Sequence, residues 1–208
     1  MKNTIDRLNN SKIIFNIVIT ALLLSLTLIF KAIFKDINLI NGFSPQIQLL
    51  VFSLGLWIIP SIYYKFIFYL LTPFLMLIFG FSGHLFFDQI LPYWVFIGFI
   101  FIDKIYFLIS KKINMKERIN SALTLTIIWI IISTFSYLFL WISYSISGVL
   151  LYSAIWEFSF SFNAPISWIS YGISLIILPS LYFLEKLKIK YSKYGYKYYS
   201  IENRSTNN

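Results

Sequence analysis

Residues 13–34 read IIFNIVITALLLSLTLIFKAIF, an apolar run broken only by Asn16, by small hydroxyl residues and, near its end, by Lys31. A helix needs roughly 20 such residues to cross the hydrocarbon core of a bilayer. The run follows Lys2, Arg7 and Lys12, as a cleaved secretory leader would. It is too long for the apolar part of such a leader, and no A-x-A site follows it. It therefore reads as a retained transmembrane helix. The rest of the chain agrees: 59% of its 208 residues are hydrophobic and 12% are charged, mean hydropathy is +0.77, and a water-soluble domain keeps about a quarter of its residues charged.

Working outward from that run, the sequence predicts an all-α integral membrane bundle, a single domain over 1–208, with about six spans. They fall at 13–34, 47–64, 66–81, 85–109, 119–144 and 160–184, followed by a basic tail, 185–208. Lys65 closes the second span, and Ser82-Gly83-His84 forms a polar turn after the third. Ser145 to Trp156 is expected as a separate outer segment that returns into the bundle mouth. Of the 17 Lys and Arg residues, this order leaves only Lys31 and Lys35 near one face. The others fall on the opposite side, which by the positive-inside rule is cytoplasmic and holds both termini. A net charge of +9 confined to such caps argues against nucleic acid binding. The usage of Ile, Phe, Lys, Asn and Tyr fits an AT-rich bacterial genome, hence a multi-pass protein of the bacterial plasma membrane. No internal repeat indicates an inverted-repeat transporter.

Chemistry in such a bundle rests on its few polar groups, because an ionisable side chain inside the membrane costs at least ~2.5 kcal/mol. There is no cysteine and one histidine, His84, so thiolate and His-rich metal sites are excluded and no cofactor is expected. Asp103 and Lys104 read as an interfacial anchor at the inner end of the fourth span. Asp88 stands at that span's outer start and Glu157 just before the sixth, where acids also suit helix N-termini. Around them lie Tyr93 and Trp94, the four-residue series Tyr144, Gly148, Tyr152 and Trp156, the pair Phe158 and Phe162, and Asn163. Residues four apart share one helix face. Rings with two carboxylates and almost no cation suit a flat, positively charged small molecule. The alternative is the aromatic belt found at membrane interfaces.

Three stretches carry a resemblance. Ile17-Val18-Ile19-Thr20-Ala21-Leu22-Leu23-Leu24-Ser25, Asp88-Gln89-Ile90-Leu91-Pro92-Tyr93, and Ser147-Gly148-Val149-Leu150-Leu151-Tyr152 with Phe158-Ser159-Phe160-Ser161-Phe162-Asn163-Ala164 resemble segments of the substrate-binding S component of energy-coupling factor vitamin transporters, most nearly the thiamine type. The resemblance implies a vitamin site lined by Asp88, Gly148, Tyr152, Phe158 and Asn163. It also implies that Ala21 and Ser25 pack against a transmembrane coupling subunit, which two ATPase subunits drive. Small residues at that spacing let a second helix approach closely. The thiamine type usually carries His where Tyr144 stands, Trp where Tyr152 stands and Tyr where Phe158 stands, and more residues around Glu157, so the vitamin itself is not fixed by these residues.

Two other classes compete. A lipid-modifying enzyme needs converging acids or a base with a nucleophile, for which only Asp88 and Glu157 offer themselves. A membrane structural or assembly protein without a ligand would tolerate any residue at the outer rim. The expected protein is not an enzyme, and it has no Walker A sequence with which to hydrolyse ATP by the P-loop route.

Overall fold

Proline sets the first boundary. Pro60 has no N–H to donate and forces the preceding residue out of the helical region. Ile59 accordingly adopts φ −59°, ψ 125° and Ser61 is extended at φ −90°, ψ 132°, so the chain breaks over 59–61. The computed structural model describes residues 2–34, 46–79, 84–113, 118–191 and 196, and all its regular elements are helical. α1 spans Lys2–Phe34, α2 Ile47–Ile58 and α3 Ile62–Met76, with a 3₁₀ turn at Leu77–Phe79. The expected boundary at Lys65 is thus corrected: Lys65 lies in the first turn of α3 and is 3% exposed.

A composite helix follows, built of a π-helical stretch Leu85–Ile90, α4 Leu91–Trp94, a 3₁₀ stretch Val95–Phe101 and α5 Ile102–Ile113. α6 then runs unbroken from Arg118 to Tyr152, ~52 Å at 1.5 Å per residue. The separate outer segment expected from Ser145 does not exist, because nothing before Ser153 stops the helix. Ser153, at φ 48°, takes the left-handed conformation that ends helices. α7 begins at Trp156 rather than Phe160 and reaches Leu175, and α8 covers Leu178–Lys190. The two are bent by 52°, with Pro179 in the first turn of α8.

Three helical stretches, Asn10–Phe34, Leu85–Ser110 and Ala122–Tyr152, are long and apolar enough to cross a membrane, or four if the bent pair is one span. α2 and α3, with 12 and 15 residues, reach ~18 and ~23 Å, short of the ~30 Å hydrocarbon core.

The burial pattern inverts that of a soluble bundle. α1 turns Asn16, Thr20, Leu23 and Thr27 inward, while Ile14, Val18, Leu22 and Ile33 are more than half exposed. Leu123, Ile127, Ile131, Phe135 and Phe139 form an outward ridge on α6, while Ser133, Ser136, Ser143, Ser145 and Ser147 are buried. Some of the inward hydroxyls close onto their own helices, Thr27 Oγ1 to the Leu23 carbonyl at 2.7 Å and Thr72 Oγ1 to Phe68 at 2.6 Å. Lipid tolerates an apolar exterior but no unpaired polar group. This is therefore a membrane-embedded, all-helical protein.

Aromatic rings fill the centre. Phe52 packs against Phe68 and Tyr93, each with ring centroids 5.2 Å apart, and Trp129 stands 4.8 Å from Phe99 and 5.7 Å from Trp57. Contacts between distant residues define two ends. At one, the Ser61 N–H donates to Asn16 Oδ1 at 3.0 Å, and Lys65 meets Asp103. At the other, Ser147 meets Asp88.

Candidate ligand site and a buried ion cluster

At the Asp88 end, a proline again decides the geometry. In a π-helical stretch each carbonyl accepts from the fifth residue on, as Phe86 does from the Leu91 N–H. The fifth residue after Phe87 is Pro92, which has no N–H. The Phe87 carbonyl instead accepts from Ser143 Oγ of α6 at 2.6 Å. Ser136 Oγ donates to the Val95 carbonyl at 3.1 Å and the Tyr69 hydroxyl to Trp94 at 2.7 Å. Side chains of α3 and α6 thus satisfy backbone groups along the irregular helix.

The π-helical turn fixes Asp88. Its Oδ2 accepts from the His84 backbone N–H at 2.6 Å and from Ser147 Oγ at 2.5 Å. Among the described residues no hydrogen bond reaches its Oδ1. Tyr144, one turn before Gly148 on α6, lies within electrostatic reach of Asp88, Tyr93 and Tyr137. Tyr93 and Tyr137 are 3% and 1% exposed, and their hydroxyls have no hydrogen-bond partner. Gln48 is a near side-chain neighbour of Tyr93 and Ser174 of Tyr137. Buried hydroxyls without partners are uncommon in native structures, and a bound polar molecule or water would satisfy them.

Gly148 does a different job from the one expected. A Cβ there would run into Ser159 Oγ, and Asn163 Nδ2 would be 3.7 Å away. Its missing side chain lets α6 and α7 touch. Ser159 Oγ then donates to the Ser145 carbonyl at 2.8 Å, and Asn163 Nδ2 to the carbonyls of Ser159 at 2.8 Å and Tyr144 at 3.3 Å. Asn163 therefore holds the wall that carries Tyr144.

The remaining expected residues are placed elsewhere. Tyr152 is 75% and Phe158 63% exposed, Trp156 and Glu157 are exposed too, and Trp156 stacks on Phe160 of its own helix. Tyr144 and Gly148 face the interior, whereas Tyr152 points outward and Trp156 lies past the helix break. The expected rim thus divides into an inward group, Asp88, Tyr93, Tyr144, Gly148 and Asn163, and an outward aromatic group. Ala21 and Ser25 are exposed on the outer side of α1. Among the described residues no group of three His, Asp or Glu side chains is placed to hold a metal ion.

Sequence reading missed the strongest polar feature. Asp103, expected as a partly solvated interfacial anchor, is 6% exposed, although its neighbour Lys104 is exposed as expected. Its carboxylate accepts from Lys188 Nζ at 2.6 Å, Lys65 Nζ at 3.1 Å and Trp57 Nε1 at 2.9 Å. Lys65 also donates to the Ile100 carbonyl at 3.4 Å and Lys188 to Trp57 at 2.9 Å. Lys188 Nζ lies 4.3 Å from the Trp57 ring centroid and 5.4 Å from that of Tyr196. A buried carboxylate is tolerable only when paired and hydrogen-bonded in this way. The available signal was slight: Lys65 is a lone charge in an apolar stretch, whereas Asp103 adjoins Lys104 and Lys188 stands among Glu185, Lys186 and Lys190.

Compared with known proteins, the chain matches no family model, no curated protein and no solved structure.

Proposed function

We propose that this chain is the substrate-binding S component of an energy-coupling factor vitamin transporter, taking up thiamine or a related flat, cationic vitamin. The observation that carries the reading is the inward group at the Asp88 end. Around Tyr144, the composite helix and α6 contribute a carboxylate with one oxygen unfilled and two buried hydroxyls without partners. Rings attract a desolvated cation, worth ~2 kcal/mol, and a hydrogen bond to a charged group adds ~1.5–3 kcal/mol. Tyr93 and Tyr144 supply the rings and Asp88 the charge. Tyr152, Trp156 and Phe158 then serve at the membrane surface, where outward aromatic residues collect.

On this reading the chain lies in the bacterial plasma membrane with six spans and both termini cytoplasmic. Support comes from the contacts: Asn16, Ser61, Lys65, Asp103 and Lys188 gather at one end, Asp88, Ser147 and the α6–α7 turn at the other, so successive helices rise and fall. α2 and α3 are short for a crossing, and local bilayer thinning accommodates a short span at modest cost. The exposed pair Ala21 and Ser25 offers the coupling subunit a face of small residues, and two ATPase subunits supply the energy. The test is mass spectrometry of the small molecules retained by the purified protein. A vitamin bound in stoichiometric amount supports the reading; preparations that retain none and bind none when supplied favour a ligand-free assembly protein.

A further inference from the structure

We infer that the C-terminal arm, α8 together with Tyr196, is a hinged latch that seals the Asp103 end of the bundle and opens independently of the other helices. The argument starts at the proline break after α2. A helix ends with unpaired carbonyls and a partial negative charge, and Pro60 prevents the following residues from covering them. Two groups from far along the chain do so instead. Lys188 Nζ donates to the Trp57 carbonyl at 2.9 Å, and the Tyr196 hydroxyl donates to Ile58 at 2.6 Å. The Lys188 ammonium is simultaneously paired with Asp103 at 2.6 Å and lies against the rings of Trp57 and Tyr196.

The arm is attached as a hinged element would be. α7 and α8 are separate helices bent by 52° across Ile176 and Ile177, and Pro179 removes one of the backbone bonds that would stiffen the junction. α8 buries Leu181, Glu185 and Lys188, and Leu178, Leu184 and Ile189 lie partly buried against the core. Hinge motions use a few residues at element ends that absorb the change in backbone angles, and Ile176–Ile177 supplies them here. Apolar packing thus runs along α8, Lys188 and Tyr196 add polar contacts at the arm's far end, and a bend joins it at its near end.

The test uses the full-length, cysteine-free protein in detergent, with single cysteines as reporters. Leu181, 1% exposed on the buried face of α8, and Ser133, fully buried on α6, are each replaced by Cys and reacted with N-ethylmaleimide. In a Lys188→Met background, Leu181→Cys should react roughly tenfold faster or more, the shift that loss of a charge-assisted hydrogen bond brings, and should gain clearly more than Ser133→Cys, which reports unfolding of the whole bundle. Tyr196→Phe, which removes one hydroxyl and leaves the ion cluster intact, should raise the Leu181→Cys rate by about two- to tenfold. If neither substitution changes the Leu181→Cys rate, the arm is not held by these contacts. If Ser133→Cys accelerates equally, the contacts act only through the whole bundle and no latch exists.

Discussion

Removing the charge of Asp103 should do more damage than any other single neutralisation in this protein. Asp103→Asn keeps the size of the side chain but leaves the ammoniums of Lys65 and Lys188, 3% and 2% exposed, without their shared counter-charge. It also weakens three hydrogen bonds, at 2.6, 2.9 and 3.1 Å. Breaking a buried pair by removing one partner costs ~3–5 kcal/mol. At 1.4 kcal/mol per tenfold, that lowers the folded-to-unfolded ratio by about two to three and a half orders of magnitude. The assay is equilibrium unfolding in mixed micelles followed by tryptophan fluorescence, for Asp103→Asn, Lys188→Met and the double variant. Groups in one hydrogen-bonded network show coupling of ~0.5–3 kcal/mol, so the double variant should lose less than the sum of the singles by more than ~0.5 kcal/mol. A cost below ~1 kcal/mol for Asp103→Asn, or additivity within ~0.5 kcal/mol, would refute the cluster.

Three further outcomes are expected. Gly148→Ala should destabilise the protein by ~1–3 kcal/mol through overpacking against Ser159, and Ser159→Gly in the same chain should restore much of the loss; absence of rescue in the same unfolding assay would remove the close α6–α7 contact as the cause. Replacing both Ala21 and Ser25 by Leu should abolish transport while the isolated protein still binds its ligand, because bulk on that face blocks helix approach; transport assays beside binding assays separate the two effects. An impermeant thiol reagent applied to intact cells should label a cysteine at Ser153 and spare one at Asn114, and the reverse pattern would invert the topology.

How much of this was legible varied with sequence distance. The membrane character and the long helices followed from local runs such as 13–34, because lipid demands apolar surface and internally satisfied backbone. The break at 59–61 was equally local: Pro60 announces it, whereas the charge of Lys65 points to a boundary several residues too late. Asp88 and the inward face of Tyr144 and Gly148 were legible from spacing and resemblance. The continuation of that face to Trp156 was not, since it assumed helix through Ser153, where the chain takes φ 48°. Lys65, Asp103 and Lys188 could not be paired from sequence, because 38 and 85 residues separate the partners and each lysine alone resembles an interfacial cap. The same holds for Ser136, Ser143 and Ser147, whose role depends on the irregular helix opposite.

The account rests most directly on ligand binding at Asp88. Titration of the purified protein with thiamine and related vitamins, followed by tryptophan fluorescence, should give saturable quenching by one of them. Asp88→Asn should weaken that binding about tenfold or more, since a hydrogen bond to a charged partner is worth ~1.5–3 kcal/mol, while Glu157→Gln, at an exposed carboxylate, should leave it within about twofold. Saturable binding by no vitamin, or equal affinity in Asp88→Asn and the unaltered protein, would contradict the proposed site.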